Sequence, residues 1–313
     1  MARPRRLIAG ATYLVTRRCT DRQFFLLPRR QILDLLWYDL AYAAERYGIE
    51  VHAAVFMSDH LHLVATDPHR KLSKFMRWFC QNTSAALNRL YGRTGRGTIW
   101  EPDRRYTSIQ LLDHGAVERA LRYVLMNPVA ARLVPTAAAW RDAVTLPEHF
   151  GRARSFRRPG HYFRQKGKDR LPDAATLRLT CPKQLREHYP TDDDYRAAMA
   201  KLLQDAERER QQQHAQEGRR FLGLAKVLKH QPTDTPPDKP EAYVPLRWPF
   251  MCSDPSDRQV HEQDHRSWEH RTCAAYELFR DPKTRPEARF PRDSYKWVVD
   301  LGAPVEDQLP PDG

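Results

Sequence analysis

The stretch VHAAVFMSDHLHLVA, residues 51–65, decides the fold of this chain. It contains two apolar runs on either side of a short polar turn, a pattern that predicts two antiparallel strands joined as a hairpin. Side chains two positions apart in a strand point to the same face of a sheet. We therefore expect His60 and His62 to share one open face. Leu61 and Leu63 should pack under helices on the opposite face of the sheet.

The hairpin lies in the middle of an alternating series of strands and helices. Periodicity predicts a strand at 10–16, a helix at 31–47, a helix at 72–90, a strand at 106–111 and a helix at 113–126. Because proline cannot continue a helix easily, we expect the last helix to stop before Pro128. The order β-α-β-β-α-β is typical of the ferredoxin-like, split βαβ arrangement. The expected fold class is α+β, with an antiparallel sheet and helices on one face.

The sequence after this module predicts a mixed, mostly helical C-terminal extension. Its expected elements are a strand at 175–180, helices at 193–216, 219–230 and 257–279, and a strand at 294–301. Repeated prolines between 231 and 249 indicate an extended linker. The predicted organisation is a first domain at 1–147, a basic and helical extension at 148–230, a Pro-rich linker at 231–249, and a helix-strand region with a disordered tail at 250–313.

The charge of the chain points to a nucleic-acid partner. There are 52 Lys and Arg residues against 39 Asp and Glu, which gives a net charge of +13. Arginine makes bidentate contacts with phosphate, and its clusters therefore indicate DNA or RNA binding, although a merely basic soluble surface is the alternative. Trp100 can either stack on an unpaired base or pack in the core. The candidate DNA contacts are Arg5, Arg6, Arg17, Arg18, Trp100, Arg104, Arg105, Arg157 and Arg158.

Cysteine usage and hydropathy indicate the compartment. The chain has five cysteines and no C-x-x-C pair, which fits a reduced, cytosolic protein. No apolar run approaches the roughly 20 residues that span a bilayer, and the short apolar part of the N-terminus does not read as a signal peptide. We expect a cytoplasmic protein without a membrane partner.

On the last helix of the module, Tyr123 and Asn127 lie four residues apart and share one flank. If that helix covers the open face of the sheet, His60, His62 and Asn127 can bind one cation. Tyr123 would then be the nucleophile of a phosphoryl transfer. The alternative is two surface histidines and an interfacial tyrosine. The sequence does not identify the base, although positive charge from a metal or from Arg122 can help the phenol to ionise.

Four stretches carry a resemblance to a known family. They are YLVTRR (13–18), HAAVFMSDHLHLV (52–64), GRGTIWEPDRRY (95–106) and RYVLMNPVAARLV (122–134). They resemble the single-tyrosine transposases of the HUH superfamily, and most closely the REP-associated tyrosine transposases. The resemblance implies that residues 1–147 form an HUH catalytic domain of the IS200-like transposase kind.

The resemblance also implies a chemistry for particular residues. His60 and His62 would bind a divalent metal, Mg²⁺ or Mn²⁺, and Asn127 would complete the site. Tyr123 would attack a phosphate of single-stranded DNA and keep the 5′-phosphate end in a phosphotyrosine intermediate. The implied substrate is a palindromic hairpin with an adjacent recognition tetranucleotide. The implied setting is the bacterial cytoplasm at the nucleoid, with the protein a monomer or a homodimer.

Two departures from the family pattern are visible, and they bear on DNA affinity more than on catalysis. Ala130 stands where the family usually has Arg, and the turn before the first histidine is Ser58-Asp59 where it is often Pro-Asn. A catalytically idle, domesticated DNA-binding protein on the same fold is one alternative. A zinc-dependent hydrolase that uses the H-x-H pair is another, but it lacks an obvious carboxylate ligand and leaves Tyr123 without a role.

Overall fold

The structure is a computed structural model of the 313-residue chain that describes residues 5–93, 97–102, 106–160, 171–237 and 248–306. Its strands are β1 (Ala11–Arg18), β2 (Glu50–Phe56), β3 (His60–Asp67), β4 (Thr107–Leu111), β5 (Ala153–Arg157), β6 (Ala174–Arg178) and β7 (Phe250–Met251). Its helices are α1 (Arg30–Tyr47), α2 (Leu72–Leu90), α3 (His114–Ala130), α4 (Lys183–Arg186), α5 (Asp192–Gln216), α6 (Leu224–Val227) and α7 (Pro255–Arg280).

The central sheet has the strand order β2-β3-β1-β4-β7. Its first four strands pair antiparallel, and β7 adds to β4 in parallel. The four antiparallel strands have the order of the split βαβ arrangement, so the predicted ferredoxin-like fold class is confirmed. The register of β1 against β3 places Thr16 opposite His62, and this pairing matters for the site described below.

The two faces of the sheet are covered by different helices. Leu61 and Leu63 of β3 line the same small apolar cavity as Leu40 of α1 and Phe75 of α2. These two crossover helices pack against each other on that face. Helix α3 packs against β2, β3 and β4. It lies on the face to which the intervening His62 points. The alternation predicted for the hairpin is confirmed, and α3 covers the otherwise open face.

Both edges of the sheet are covered within the described residues. At the β2 edge, Phe56 donates its N–H to the Ala143 carbonyl at 2.7 Å, and the Thr145 N–H donates to the Ala54 carbonyl at 2.9 Å. At the β4 edge, β7 and its flanks take the free backbone groups; the Gln110 N–H, for example, donates to the Pro249 carbonyl at 2.9 Å. Segments distant in the sequence therefore complete the sheet.

Helix α3 begins at a strong N-cap and ends later than the sequence predicts. The Asp113 side chain accepts a hydrogen bond from the Ala116 N–H at 2.7 Å, and it also accepts from both the N–H and the hydroxyl of Ser253. The predicted stop before Pro128 is wrong, because the helix continues to Ala130. Pro128 lies in the last turn, where its missing N–H removes only one hydrogen bond of the helix.

The predicted helix at 219–230 is wrong, because only α6 is helical within it. Gly223 has a φ of +86°, which ends any helix that approaches from the N-terminal side. The residues before it run alongside the end of α3. The Leu222 N–H donates to the Arg132 carbonyl at 2.8 Å and the Gly223 N–H to the Leu133 carbonyl at 2.9 Å.

The predicted strand at 294–301 is also wrong, because residues Tyr295–Asp300 form a short π-helix. Within the described part of the chain, no neighbouring strand pairs with this alternating sequence along its length. Instead, the Tyr295 N–H donates to the Arg5 carbonyl at 3.2 Å, and the Trp297 ring stacks on Phe290. The tail after 306 and linker residues 238–247 lie outside the described residues.

The core of the module extends into the predicted extension. Strands β5 and β6 form a separate two-stranded sheet that packs against α1, and β6 confirms a strand near the predicted 175–180. One continuous hydrophobic core runs from Leu7 to Val227 and includes Tyr295, while a smaller cluster forms around Phe290. The domain boundaries stay predictions. Among the described helices, none has the length and apolar character needed to cross a membrane.

Candidate active site

His62 lies at the centre of the candidate site, held from two sides. It is 4% exposed, since it sits on β3 between its neighbouring strands and under α3. Its Nδ1 lies 2.8 Å from Oγ1 of Thr16, the residue opposite it on β1. Its Nε2 lies 3.1 Å from the phenol oxygen of Tyr123 on α3. The imidazole is thus fixed between the sheet and the helix.

His60 is the outer member of the pair. Its ring centroid lies 4.8 Å from that of His62 at an interplanar angle of 76°. Its Nδ1 lies 2.7 Å from Oδ1 of Asp59 in the preceding turn. The other carboxylate oxygen of Asp59 accepts a hydrogen bond from Nε of Arg22 at 3.3 Å. The side chains that hold the two rings therefore come from the turn, from β1 and from α3.

The electrostatics of the pair favour neutral imidazole at His62. Burial lowers the pKa of His62 well below its usual value, and the nearby charges of His60 and Arg18 lower it further. Burial raises the pKa of Asp59, but the hydrogen bond and charge of His60 and then those of Arg22 outweigh it and hold that pKa below its usual value. Near neutral pH the site therefore contains an uncharged imidazole and an ionised carboxylate.

Tyr123 is accessible to a large substrate even though its hydroxyl is held. The side chain is 48% exposed, and its ring meets His62 edge-on with a centroid distance of 4.8 Å. Asn127 follows one helical turn later on α3 and is half-buried. The neighbouring Arg122, which the sequence offered as a source of positive charge for Tyr123, is paired with Glu209 of α5.

The residues brought together fit a divalent cation as ligands. Two imidazoles, with the amide of Asn127 one helical turn beyond Tyr123 on α3, are a donor set that accepts Mg²⁺ or Mn²⁺ when a phosphate adds oxygen ligands. The metal would replace the Tyr123 hydroxyl as the partner of Nε2 of His62. In the described part of the chain, no group of three or more His, Cys, Asp or Glu side chains could hold a metal. A third protein ligand at the histidine pair must therefore be of another type, such as the Asn127 amide.

Several of the candidate DNA-contacting arginines form contacts within the protein. The Arg5 guanidinium lies 3.7 Å over the Tyr106 ring and donates to the Tyr106 carbonyl. Arg6 forms ion pairs with Asp264 and Asp293. Two more candidates are held within the protein, because Arg17 donates to the Glu101 carbonyl and Arg158 pairs with Asp173. These contacts leave less of each guanidinium for phosphate.

Of the candidate arginines that the structure describes, two are exposed. Arg18 lies at the end of β1, close enough to influence the charge of His62, and Arg157 lies at the end of β5. Arg104 and Arg105 lie outside the described residues. Of the candidate contacts that the structure describes, Arg18 is therefore the one best placed to meet a strand that enters the histidine site.

The prediction that Trp100 stacks on a base is wrong, and its core alternative holds. Trp100 has no exposed surface, and its indole N–H donates to the Cys80 carbonyl at 3.1 Å and to Oγ1 of Thr83 at 3.0 Å. A ring without exposed faces cannot receive an unpaired base. The tryptophan instead fixes the loop before β4 against α2.

Sequence reasoning assigned no role to three residues that touch the histidines or their partner. They are Thr16, Asp59 and Arg22. The register of two antiparallel strands would have found Thr16, because it lies directly opposite His62. Asp59 could have been found from its position beside His60. Arg22 approaches from a loop after β1, and no sequence spacing indicates that contact.

Comparison with known families finds a similarity that covers the candidate site. Residues 14–126 match the family model described as "Transposase IS200 like". Over this part of the chain, the match confirms the motif resemblance to IS200-like transposases. The match supports a DNA-processing function of the transposase kind. No curated protein matches the chain.

Two solved structures are similar at low identity. One is a REP-associated tyrosine transposase bound to a REP hairpin, with 20% identity, a TM-score of 0.40, and coverage of 48% of this chain and 85% of that one. The other is a candidate transposase from Deinococcus radiodurans R1, with 18% identity, a TM-score of 0.28, and coverage of 38% and 92%.

Proposed function

We propose that the protein is a metal-dependent, single-stranded DNA endonuclease and strand transferase that acts through Tyr123. The observation that carries the proposal is the 3.1 Å contact between the phenol oxygen of Tyr123 and Nε2 of His62, at a side chain that is otherwise half exposed. A structural tyrosine would bury its ring, whereas this one presents its hydroxyl to a buried imidazole and its ring to solvent. That arrangement suits a nucleophile that must meet a polymer.

The proposed reaction exchanges one phosphodiester bond for another. The Tyr123 oxygen forms a bond to phosphorus, the bond to the 3′-oxygen of the neighbouring nucleotide breaks, and the 3′-hydroxyl leaves with a proton. The 5′-phosphate end stays on the tyrosine, and attack by a 3′-hydroxyl reverses the step. His60, His62 and Asn127 would hold Mg²⁺ or Mn²⁺, which when bound would supply Lewis-acid polarisation and orientation of the phosphate.

The chain's own residues prepare the nucleophile before DNA arrives. The Tyr123 hydroxyl faces a neutral imidazole, and the hydrogen bond between them orients the phenol oxygen. The sheet side of the same imidazole is fixed by Thr16. Arg18, exposed next to the site, offers a contact for a phosphate of the bound strand.

The proposed substrate is a single-stranded palindromic hairpin with an adjacent recognition tetranucleotide. Its support is the motif resemblance together with the net charge of +13. In keeping with that resemblance, we propose that the protein works in the bacterial cytoplasm at the nucleoid, as a monomer or a homodimer. An idle DNA-binding protein on the same fold is the second candidate, because the net charge of +13 supports DNA binding without requiring any chemistry.

A covalent-adduct assay tests the proposal. The protein is incubated with end-labelled hairpin DNA and Mg²⁺ or Mn²⁺, and a protein–DNA adduct is sought on a denaturing gel. We expect an adduct with the native protein and none with Tyr123→Phe. Tyr47→Phe, a change of the same kind at the end of α1, should leave the adduct intact. An adduct that persists in Tyr123→Phe would overturn the mechanism.

The same assay separates the alternatives. DNA binding without any adduct would favour the idle binder. Metal-dependent hydrolysis without an adduct would favour the zinc-dependent hydrolase.

A further inference from the structure

The turn that precedes the histidine pair contains a carboxylate that points back at it. Asp59 is 6% exposed, and one of its oxygens, Oδ1, lies 2.7 Å from Nδ1 of His60. An ionised carboxylate can only accept hydrogen bonds. The hydrogen in this contact must therefore belong to Nδ1, and in neutral His60 the bare lone pair is then on Nε2. The geometry fixes one tautomer.

The carboxylate itself is held in place. Its second oxygen accepts from Nε of Arg22, whose backbone has a φ of +55°, an unusual conformation for a residue with a side chain. The backbone of the turn is tied to the same loop, because the Cys19 N–H donates to the Asp59 carbonyl at 2.7 Å and the Leu26 N–H to the Ser58 carbonyl at 2.9 Å. Arg22 and Asp59 thus form a fixed frame for His60.

The second histidine has no such constraint. The partners of His62 are hydroxyls, those of Thr16 and Tyr123, and each can donate or accept. Its tautomer is therefore not determined by its neighbours. The pair is therefore asymmetric: the tautomer of His60 is fixed, whereas His62 can adopt either tautomer.

We propose that Asp59 is a positioning residue that fixes His60 as the Nδ1–H tautomer and strengthens its Nε2 as a metal ligand, with Arg22 orienting the carboxylate. A carboxylate behind a ligating histidine orients the ring and raises its basicity, and loss of such a partner typically weakens metal binding about 10- to 100-fold. The proposal rests on the proposed function, because it takes the histidine pair to be a metal site.

Two variants separate the charge of Asp59 from its role as acceptor. Asp59→Asn removes the charge but keeps an oxygen that can accept from Nδ1. Asp59→Leu removes both at similar size. Arg22 tolerates either change because its side chain is 29% exposed and can reach water. Asp34→Asn removes an exposed carboxylate that pairs with Arg30 on α1, and it serves as the charge-matched control.

The first measurement uses no metal. Long-range ¹H–¹⁵N correlation spectra of protein labelled at histidine report which ring nitrogen carries the hydrogen. At a pH of about 8, where an ordinary imidazole is neutral, we expect the Nδ1–H pattern for His60 in the native protein and its loss in Asp59→Leu. The pattern of His62 should not change, which makes it an internal control for folding. An unchanged His60 pattern in Asp59→Leu would overturn the proposal.

The second measurement is the affinity for Mn²⁺ by isothermal titration calorimetry. We expect it to fall about 10-fold in Asp59→Asn and up to about 100-fold in Asp59→Leu, and to change less than about twofold in Asp34→Asn. If Asp59→Leu changes the tautomer of His60 but not the affinity for Mn²⁺, the proposal that Asp59 strengthens Nε2 as a metal ligand is refuted. A native protein that binds no Mn²⁺ would contradict the proposed metal site and with it the ligand-strengthening half of this proposal. The His60 spectrum would still decide whether Asp59 sets the tautomer.

Discussion

His52 should make the stability of the fold depend on pH in a predictable way. It is fully buried on β2, with Nδ1 2.8 Å from the Thr180 carbonyl and Nε2 2.8 Å from Oγ1 of Thr66. The carbonyl can only accept, so Nδ1 carries the hydrogen and the neutral ring satisfies both neighbours. A second proton would place an uncompensated charge in the core. Burial accordingly lowers the pKa of His52 to about 4, even though the hydrogen bond to Thr180 raises it.

The size of the effect follows from the difference between the folded and unfolded pKa values. The pKa of His52 is about 4 in the folded chain, against a usual value of about 6.5. Between these two values the unfolded chain binds more protons, so the free energy of unfolding falls as the pH falls through that window. Lowering the pH from about 7.5 to about 5 should remove about 2 kcal/mol through His52 alone, and the full loss below pH 4 approaches about 3.4 kcal/mol.

Urea denaturation of three proteins at the two pH values isolates this contribution. His52→Gln offers an amide N–H and an amide oxygen but does not titrate, so it should lose about 2 kcal/mol less than the native protein between about pH 7.5 and about pH 5. His270→Gln, a change at an exposed position of α7, should show the native pH dependence. If His52→Gln and the native protein lose stability in parallel, the argument for a buried neutral imidazole is refuted.

Three further predictions concern the site and its supports. Tyr123→Phe should bind Mn²⁺ about two- to tenfold more tightly by calorimetry, because the phenol no longer competes for Nε2 of His62, a hydrogen bond worth about 0.5–1.5 kcal/mol; weaker binding would contradict this. Asp113→Ala should lower the free energy of unfolding by about 1–2 kcal/mol in urea, since it removes the N-cap of α3 and the anchor of Ser253; an unchanged midpoint would count against the cap. Trp140→Phe should lower the free energy of unfolding by about 1–3 kcal/mol in thermal denaturation. The Phe56 carbonyl on β2, which accepts from the Trp140 indole N–H, would lose its buried partner; an unchanged stability would show that water replaces it.

The sequence predicts those parts of the fold that a local pattern determines. The hairpin alternation placed His60 and His62 on the face opposite Leu61 and Leu63, because the period of a strand is fixed by backbone geometry. Helix α1 ends at Gly48, whose φ of +66° is the left-handed conformation that glycine adopts without strain. In both cases the determinant lies within a few residues of the feature.

The parts that depend on distant neighbours could not be predicted. Residues 294–301 alternate like a strand, but no strand of the described chain lies beside them. Their backbone bonds instead to Arg5 and within a π-helix. Trp100 looks like a DNA contact because arginines surround it in the sequence, whereas α2 encloses it in space. At the site, the spacing of the histidines was informative, but the contact of Arg22 with Asp59 depends on how a loop folds back.

The coverage of the sheet edges has a consequence for shortened forms of the protein. A chain cut after residue 147 would retain the histidines and Tyr123 but lose β7, which takes the free backbone groups of β4. An exposed strand edge is a template for pairing with a second copy of the chain. Such a fragment should self-associate through β4, and it should also lose the Ser253 contact at the start of α3. The residues that cover this edge of the sheet thus lie outside the predicted first domain.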